Sequence, residues 1–295
     1  MRMIFLFVDG VGLGEKDKNK NPFLEARTPS IDYIFKQFRV MPTDASLDVP
    51  GLPQSATGQT TIFTGINASK VLGRHLHGQP TITLKKLIFR NNLFKELIKM
   101  GFKVANTNVY RTEYIKRILD PMERKFRPSV TTVMTLSSGL SLRTVEDYLE
   151  GNGVYHDITG SILVNEGYAK NTISPIEAAQ RIFRISRNYD FTLFEHFMTD
   201  IVGHTKDMGQ AIKTIELLDS LIGELLNITD LREDIIVITS DHGNIEDMTV
   251  KTHTFNKVAT FIIGNVPKGA DVKIDSLTDI TPAVIKIFDG NTSSL

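Results

Sequence analysis

With 295 residues, 41% of them hydrophobic and 23% charged, the chain can bury a large core, as one α/β domain or as a core with a modest insertion. Lys plus Arg and Asp plus Glu each total 34, so no net basic field favours nucleic acid or anionic lipid. There are no cysteines, which excludes disulfides and thiolate metal sites and leaves His, Asp, Glu and hydroxyl oxygen to hold any metal.

The opening Met1-Arg2-Met3-Ile4-Phe5-Leu6-Phe7-Val8-Asp9 has an apolar run too short for a signal peptide, with an Asp directly after it and no small-residue cleavage site. Residues 4–8 are therefore expected to form a first core strand. Thr28-Pro29-Ser30 reads as the entry to a helix over 31–38. Leu93, Phe94, Leu97 and Ile98 have helical spacing over 92–100; Gly101 stops that helix, and 102–105 reads as a second strand. Residues 108–171 are weakly patterned and contain Pro121, Pro128, Gly139, Gly151, Gly153 and Gly160. They are expected to form a small insertion or cap over the site, between core segments 1–107 and 172–295; ordinary surface connections are the alternative.

Further on, Ser174 is placed to N-cap a helix over 175–186, which leads into a strand over 191–197. Residues 208–226 form a long amphipathic pattern with Ile212, Ile215, Leu218, Leu221, Ile222 and Leu225 on one side. The β-branched run 235–239 reads as a buried parallel strand and 258–263 as another; Thr281-Pro282 is expected to cap a closing helix through Phe288. This alternation argues for an α/β fold, a mostly parallel central sheet with helices on both faces. No apolar stretch of about 18 residues occurs, so no membrane span is expected, and a cytoplasmic protein is.

Three aspartates follow three of these strands. Asp9 ends the first, in Val8-Asp9-Gly10-Val11-Gly12; Asp200 follows the strand over 191–197, with His204 four residues later; Asp241 follows 235–239, in Ser240-Asp241-His242-Gly243-Asn244. Parallel strands present their carboxyl ends on one edge, so these carboxylates can converge. One such Asp is usually a cap or turn former. Three together repel in a partly dry cleft unless cations compensate, and His204, His242 and His253 add neutral imidazoles. Six candidate ligands are too many for one tetrahedral ion with an open position and suit two divalent ions, Mn or Zn, as in two-metal phosphoryl-transfer sites.

A hydroxyl at the loop-to-helix junction within 51–65 would meet unpaired backbone N–H groups that also welcome phosphate oxygens. Metal coordination would make it a usable nucleophile near neutral pH. Spacing alone does not choose among Ser55, Thr57, Thr60 and Thr61, and Ser55 or Thr57 can equally serve as a simple helix cap.

Together these motifs resemble the alkaline phosphatase superfamily of metalloenzymes, in particular the branch with cofactor-independent phosphoglycerate mutase and phosphopentomutase. The resemblance rests on Val8-Asp9-Gly10-Val11-Gly12 with Asn21 and Thr28-Pro29-Ser30-Ile31-Asp32, on Asp200-Ile201-Val202-Gly203-His204-Thr205, and on Ser240-Asp241-His242-Gly243-Asn244-Ile245-Glu246-Asp247-Met248 with His253-Thr254 and Asn256. It covers roughly residues 4–83 and 174–265. It implies an alkaline phosphatase-like fold and assigns the nucleophile position to Ser55, within Ser55-Ala56-Thr57-Gly58-Gln59 closing with Thr64-Gly65. Gln59 stands where the family usually has His. By the same resemblance one metal would be held by Asp200, His204 and His253, the other by Asp9, Asp241, His242 and the Ser55 oxygen. Ser55 would pass through a phosphoserine intermediate.

The expected substrate is a small phosphorylated metabolite. Arg74, His75 and His77, in Gly73-Arg74-His75-Leu76-His77-Gly78, could bind its phosphate or carboxylate. Arg111 and Tyr155-His156-Asp157 are weaker lid candidates. A mutase must hold and turn its substrate away from water, and 108–171 is short for that task, so a phosphatase is favoured with a phosphomutase as the alternative. A non-catalytic metal-binding protein is the third reading, opposed by competent residues at every ligand position. Nothing in the sequence indicates the oligomeric state.

Overall fold

The computed structural model describes residues 1–292 apart from 121, 124, 268, 269 and 271, so Pro121 of the weakly patterned segment lies outside the described residues. The strands are β1 (Met3–Val8), β2 (Met41–Thr43), β3 (Val104–Asn106), β4 (Phe191–His196), β5 (Ile235–Thr239) and β6 (Val258–Gly264). Among the described residues they form one sheet in the order β2-β6-β5-β1-β4-β3. β1 lies at its centre, parallel to β4 on one side and β5 on the other, with Phe7 opposite both Glu195 and Thr239. β3 extends the parallel array beyond β4.

β6 is antiparallel to β5, and β2 to β6. The expected mostly parallel sheet is present, with one reversed strand. That reversal matters for the site, because the segment entering β6 arrives at the edge where β1, β4 and β5 end. Asp9, Asp200, Asp241 and His253 are thereby brought to one side of the sheet.

All six residues of β1 are buried, as a strand covered on both faces requires. Their alternation feeds two cores. Phe5 and Phe7 point into a cluster with Ile62, Phe63, Phe191 and Phe288, while Ile4, Leu6 and Val8 join Ile34, Ile182, Phe194 and Leu221 on the opposite face. Each such fully buried side chain contributes roughly 1.5–3 kcal/mol through burial. Residues 108–171 pack into both clusters, Val130, Val133 and Met134 on one side and Val109, Val145, Tyr148 and Val154 on the other.

Local chemistry explains the element ends. Ser174 accepts a hydrogen bond from the Glu177 amide and Pro175 opens the helix Pro175–Ser186, as its sequence predicts. Asn92 likewise caps Leu93–Lys99 through the Lys95 amide. The closing helix, Ile280–Thr292, corrects the expected Thr281-Pro282 cap. A turn over Leu277–Asp279 precedes it, with Ser276 and Asp279 in a reciprocal capping box, and the Thr281 hydroxyl instead donates to the Ile62 carbonyl at 2.6 Å. The three-residue strand β2 and the helix Ile82–Arg90 were not anticipated; the first is too short for a period to show. No helix among the described residues is long and apolar enough to cross a membrane.

Candidate metal centre

Asp9 follows β1, Asp200 lies in the short helix Met198–Gly203 after β4, and Asp241 and His242 follow β5. Asp241 and His242 are completely buried, and Asp9 and His253 nearly so. Close packing of the loops depends on two glycines. Gly10 has φ of +72°, and a Cβ there would lie 2.8 Å from Cβ of Asp200. At Gly58, in the helix Ser55–Thr64, a Cβ would meet Cβ and the carbonyl oxygen of Asp241 at 3.0 Å.

Two groups of ligand-bearing side chains converge there, each with donor atoms within 4.8 Å of one another: Asp200, His204 and His253, and Asp9, Asp200 and His242. In the first, Nε2 of His204 and Nε2 of His253 face each other at 3.2 Å, and each lies 3.4 Å from an Asp200 oxygen. Their Nδ1 atoms point to main-chain carbonyls, His204 to Lys251 at 2.8 Å and His253 to Pro53 at 2.7 Å. A carbonyl can only accept, so those contacts place a proton on each Nδ1 and leave both Nε2 lone pairs aimed at Asp200. Neutral rings in this arrangement offer three acceptors and no donor, which a divalent cation satisfies.

In the second group, Nε2 of His242 is 3.3 Å from Oδ1 of Asp9, 3.6 Å from Oδ2 of Asp241 and 2.9 Å from Oγ of Ser55. Those two carboxylate oxygens are buried without a hydrogen-bond partner. Buried unpaired acceptors are costly, so this side too fits a cation. The remaining oxygens are held in place: Gln59 donates to Oδ2 of Asp9 at 2.9 Å and the Gly10 amide to Oδ1 of Asp241 at 3.3 Å. Gln59, which departs from the family histidine, thus serves as an anchor for Asp9. Asn244, not singled out from the sequence, donates to Oδ1 of Asp200 at 2.7 Å.

Burial, reinforced by the Asp241 and Asp200 carboxylates, pushes the Asp9 carboxyl well above its ordinary range. Burial also pushes Asp200 upward, but its neighbours His204, His253 and His242, with the Asn244 amide, outweigh it and hold the group well below the usual carboxylate range. His204 is raised by its Asp200 partner, and His242 is lowered by burial.

The four hydroxyls of the junction now differ. Thr57 donates to the Gln54 carbonyl, Thr60 to Ala56 and Thr61 to Thr57, whereas the Ser55 hydroxyl meets His242. Ser55 is the first residue of its helix, and Gln54 before it makes no side-chain cap to the leading amides. A cavity of about 350 Å³ opens over Ser55, Asp9 and Asp200, with Gln79, Tyr110, Arg111, Tyr114, Tyr155, His156, Glu195 and Phe197 among its lining. Arg111 and the Tyr155-His156 pair of the 108–171 segment therefore reach the cavity wall.

Arg74 and His75 lie elsewhere, on a wider cleft of about 550 Å³ that also borders His204 and His253. Both ring nitrogens of His75 are engaged, Nδ1 with the Ser69 hydroxyl at 3.1 Å and Nε2 with the Val49 carbonyl at 3.0 Å. Glu195 escaped the sequence reading, although a charged residue inside an apolar strand was a usable signal. It is 4% exposed, accepts from the Thr131 hydroxyl, and burial pushes its carboxyl up to about 7.

A family model described as the Metalloenzyme superfamily matches residues 1–291. The 2,3-bisphosphoglycerate-independent phosphoglycerate mutase of Desulforudis audaxviator is 29% identical over 125 residues, covering 40% of this chain and 25% of that protein. The enzyme of the same name from Moorella thermoacetica is 30% identical over 125 residues, covering 40% and 24%. The chain thus spans about a quarter of the length of these curated relatives. Among solved structures, the PH0037 protein from Pyrococcus horikoshii superposes with a TM-score of 0.62 at 17% identity, over 98% of this chain and 97% of that one. The alkaline phosphatase from the Antarctic bacterium TAB5 does so at 0.57 and 16% identity, over 98% of each. The fold is alkaline phosphatase-like, and the chain belongs to the Metalloenzyme superfamily.

Proposed function

We propose that this chain is a two-metal phosphoryl-transfer enzyme that hydrolyses a small phosphate ester through Ser55. The observation that carries the reading is the buried array of unpartnered carboxylate oxygens and outward-facing imidazole nitrogens around one serine hydroxyl. Asp200, His204 and His253 would hold one divalent ion, and Asp9, Asp241, His242 and the Ser55 oxygen the other; Mn or Zn suits this nitrogen and oxygen set. When bound, such ions neutralise the carboxylates, lower the pKa of the serine hydroxyl and offset charge on the transferring group.

The chain's own residues supply the rest. Ser55 gives up its proton to solvent and its oxygen bonds to phosphorus, while the bond from phosphorus to the leaving oxygen breaks and that oxygen takes up a proton from water to depart as the alcohol. The amides at the start of the Ser55–Thr64 helix, which Gln54 does not cap, would bind the phosphoryl oxygens. Gln59 and Asn244 hold Asp9 and Asp200 in orientation through the transfer. Water then takes the phosphoryl group from Ser55, and inorganic phosphate leaves.

Hydrolysis is favoured because residues 108–171, which wall the cavity, are packed into both hydrophobic clusters. A mutase needs a closing element to retain and turn the substrate, and a wall anchored on both core faces suits open exchange with water instead. The names of the sequence relatives favour the mutase alternative. Phosphorus NMR of a panel of sugar phosphates, monoesters and diesters incubated with the metal-loaded protein separates the two. Free phosphate is the expected product; an isomerised ester without free phosphate overturns hydrolysis.

A further inference from the structure

We propose that the cavity over Ser55 accepts a phosphomonoester whose alcohol carries one flat aromatic ring, either a nucleobase or a simple aryl group, and that this ring stacks on aromatic walls supplied by Tyr110, Tyr114, Tyr155, His156 and Phe197. The inference rests on the phosphoryl-transfer reading above and narrows its substrate class.

Two sets of neighbouring rings line the cavity. In one, His156 stacks on Phe197 at 3.8 Å and 19° and meets Tyr155 at 4.2 Å with a tilt of 41°. In the other, Tyr110 and Tyr114 stack at 5.5 Å and 20°. Both hydroxyls of this second pair are occupied within the protein: Asn106 donates to Tyr110 at 3.2 Å, and the Ser129 amide to Tyr114 at 3.1 Å. The polar tips of that pair are thus engaged, so a guest meets ring carbon there more than a free hydroxyl.

The Tyr155 and His156 part of the wall is also uncharged near neutral pH. Burial lowers His156 to about 3 and raises Tyr155 to about 12. Arg111, the cation on the wall, is paired with Glu166 at 2.5 Å. Tyr110, Tyr114, Tyr155, His156 and Phe197 give the wall a broad aromatic surface, which rewards a stacked ring. A volume of about 350 Å³ lies near the lower end of ligand pockets, which suits one ring and its linker.

Calorimetric titration of the zinc-loaded Ser55→Ala protein with uridine monophosphate, phenyl phosphate and ribose 5-phosphate tests this without turnover. At least one of the two ring-bearing esters should bind about tenfold or more tightly than ribose 5-phosphate; which one does so identifies the source of the ring. Phe197→Leu and Tyr114→Leu, each added to that background, should reduce the preference severalfold and leave ribose 5-phosphate affinity unchanged. Phe255→Ala, at an exposed ring outside the cavity, should change neither. Should a leucine variant melt early, the ligand comparison in the unmodified background still decides. Equal binding of all three esters, binding of none, or a preference that survives both leucine substitutions overturns the inference. A clear ring preference in a protein whose wild-type form releases no phosphate from any ester would sink hydrolysis and leave the aromatic site standing.

Discussion

Glu195 lies at the penultimate position of β4 with its side chain buried beside the cavity, accepting from Thr131. Its carboxyl titrates at about 7 in the fold against 4.5 ordinarily, with burial as the leading cause and Asp241 adding to it. The folded state therefore holds a proton that the unfolded chain gives up, and stability falls as pH rises from about 4.5 through about 7, then levels off. The loss is on the order of 3 kcal/mol. Glu195→Gln keeps an acceptor for Thr131 and removes the charge. In chelator its melting temperature should exceed that of wild type at about pH 8 and match it near pH 4.5, as read by calorimetry. Equal curves at both pH values would show that Glu195 carries no such penalty. At this scale much of the site was visible in the sequence, because Asp-His pairs directly after strands are chemically distinctive. Glu195, Asn244 and the anchoring role of Gln59 were not, because they depend on which loops touch.

The elements explain how residues so far apart in the chain meet. Gly58 allows the Ser55–Thr64 helix to approach the Asp241 segment, and Ala is intrinsically the better helix former by about 1 kcal/mol. Gly58→Ala should nevertheless lower activity by roughly tenfold or more, because the added carbon pushes Ser55 away from His242. Circular dichroism should show the helix content intact. Full activity in that variant would mean the close approach is not required. Strands β1, β4 and β5 were readable because their apolar runs are long and β-branched or aromatic. The reversal of β6 was not, since an apolar run carries no sign of direction, yet that reversal is what delivers His253 to its neighbours. The Thr281-Pro282 cap failed for a related reason: a Ser-to-Asp box four residues long, Ser276 to Asp279, competed locally and won.

Across the whole molecule, the core packs on both faces of the sheet while three carboxylates converge at one edge. Without cations that edge opposes folding through repulsion and desolvation. Chelation should therefore lower the melting temperature, and Mn or Zn at about a hundred times its dissociation constant should restore roughly 2.7 kcal/mol, or about 4 °C. Asp200→Asn, which weakens both groups, should abolish most of that response. A melting curve indifferent to chelator would contradict a metal-stabilised edge. The α/β class and the site edge followed from the alternation of patterns, but the aromatic cavity wall did not, since Tyr110, Tyr155 and Phe197 come from separate loops.

The central claim is that Ser55 carries the phosphoryl group. Rapid quench of the metal-loaded protein during turnover of a phosphate ester, followed by peptide mass spectrometry, tests it most directly. A phosphoryl adduct on the peptide containing Ser55, located on that residue and lost in Ser55→Ala together with activity, is the expected result. An adduct on Thr57 or Thr60, or full turnover by Ser55→Ala, would contradict the account.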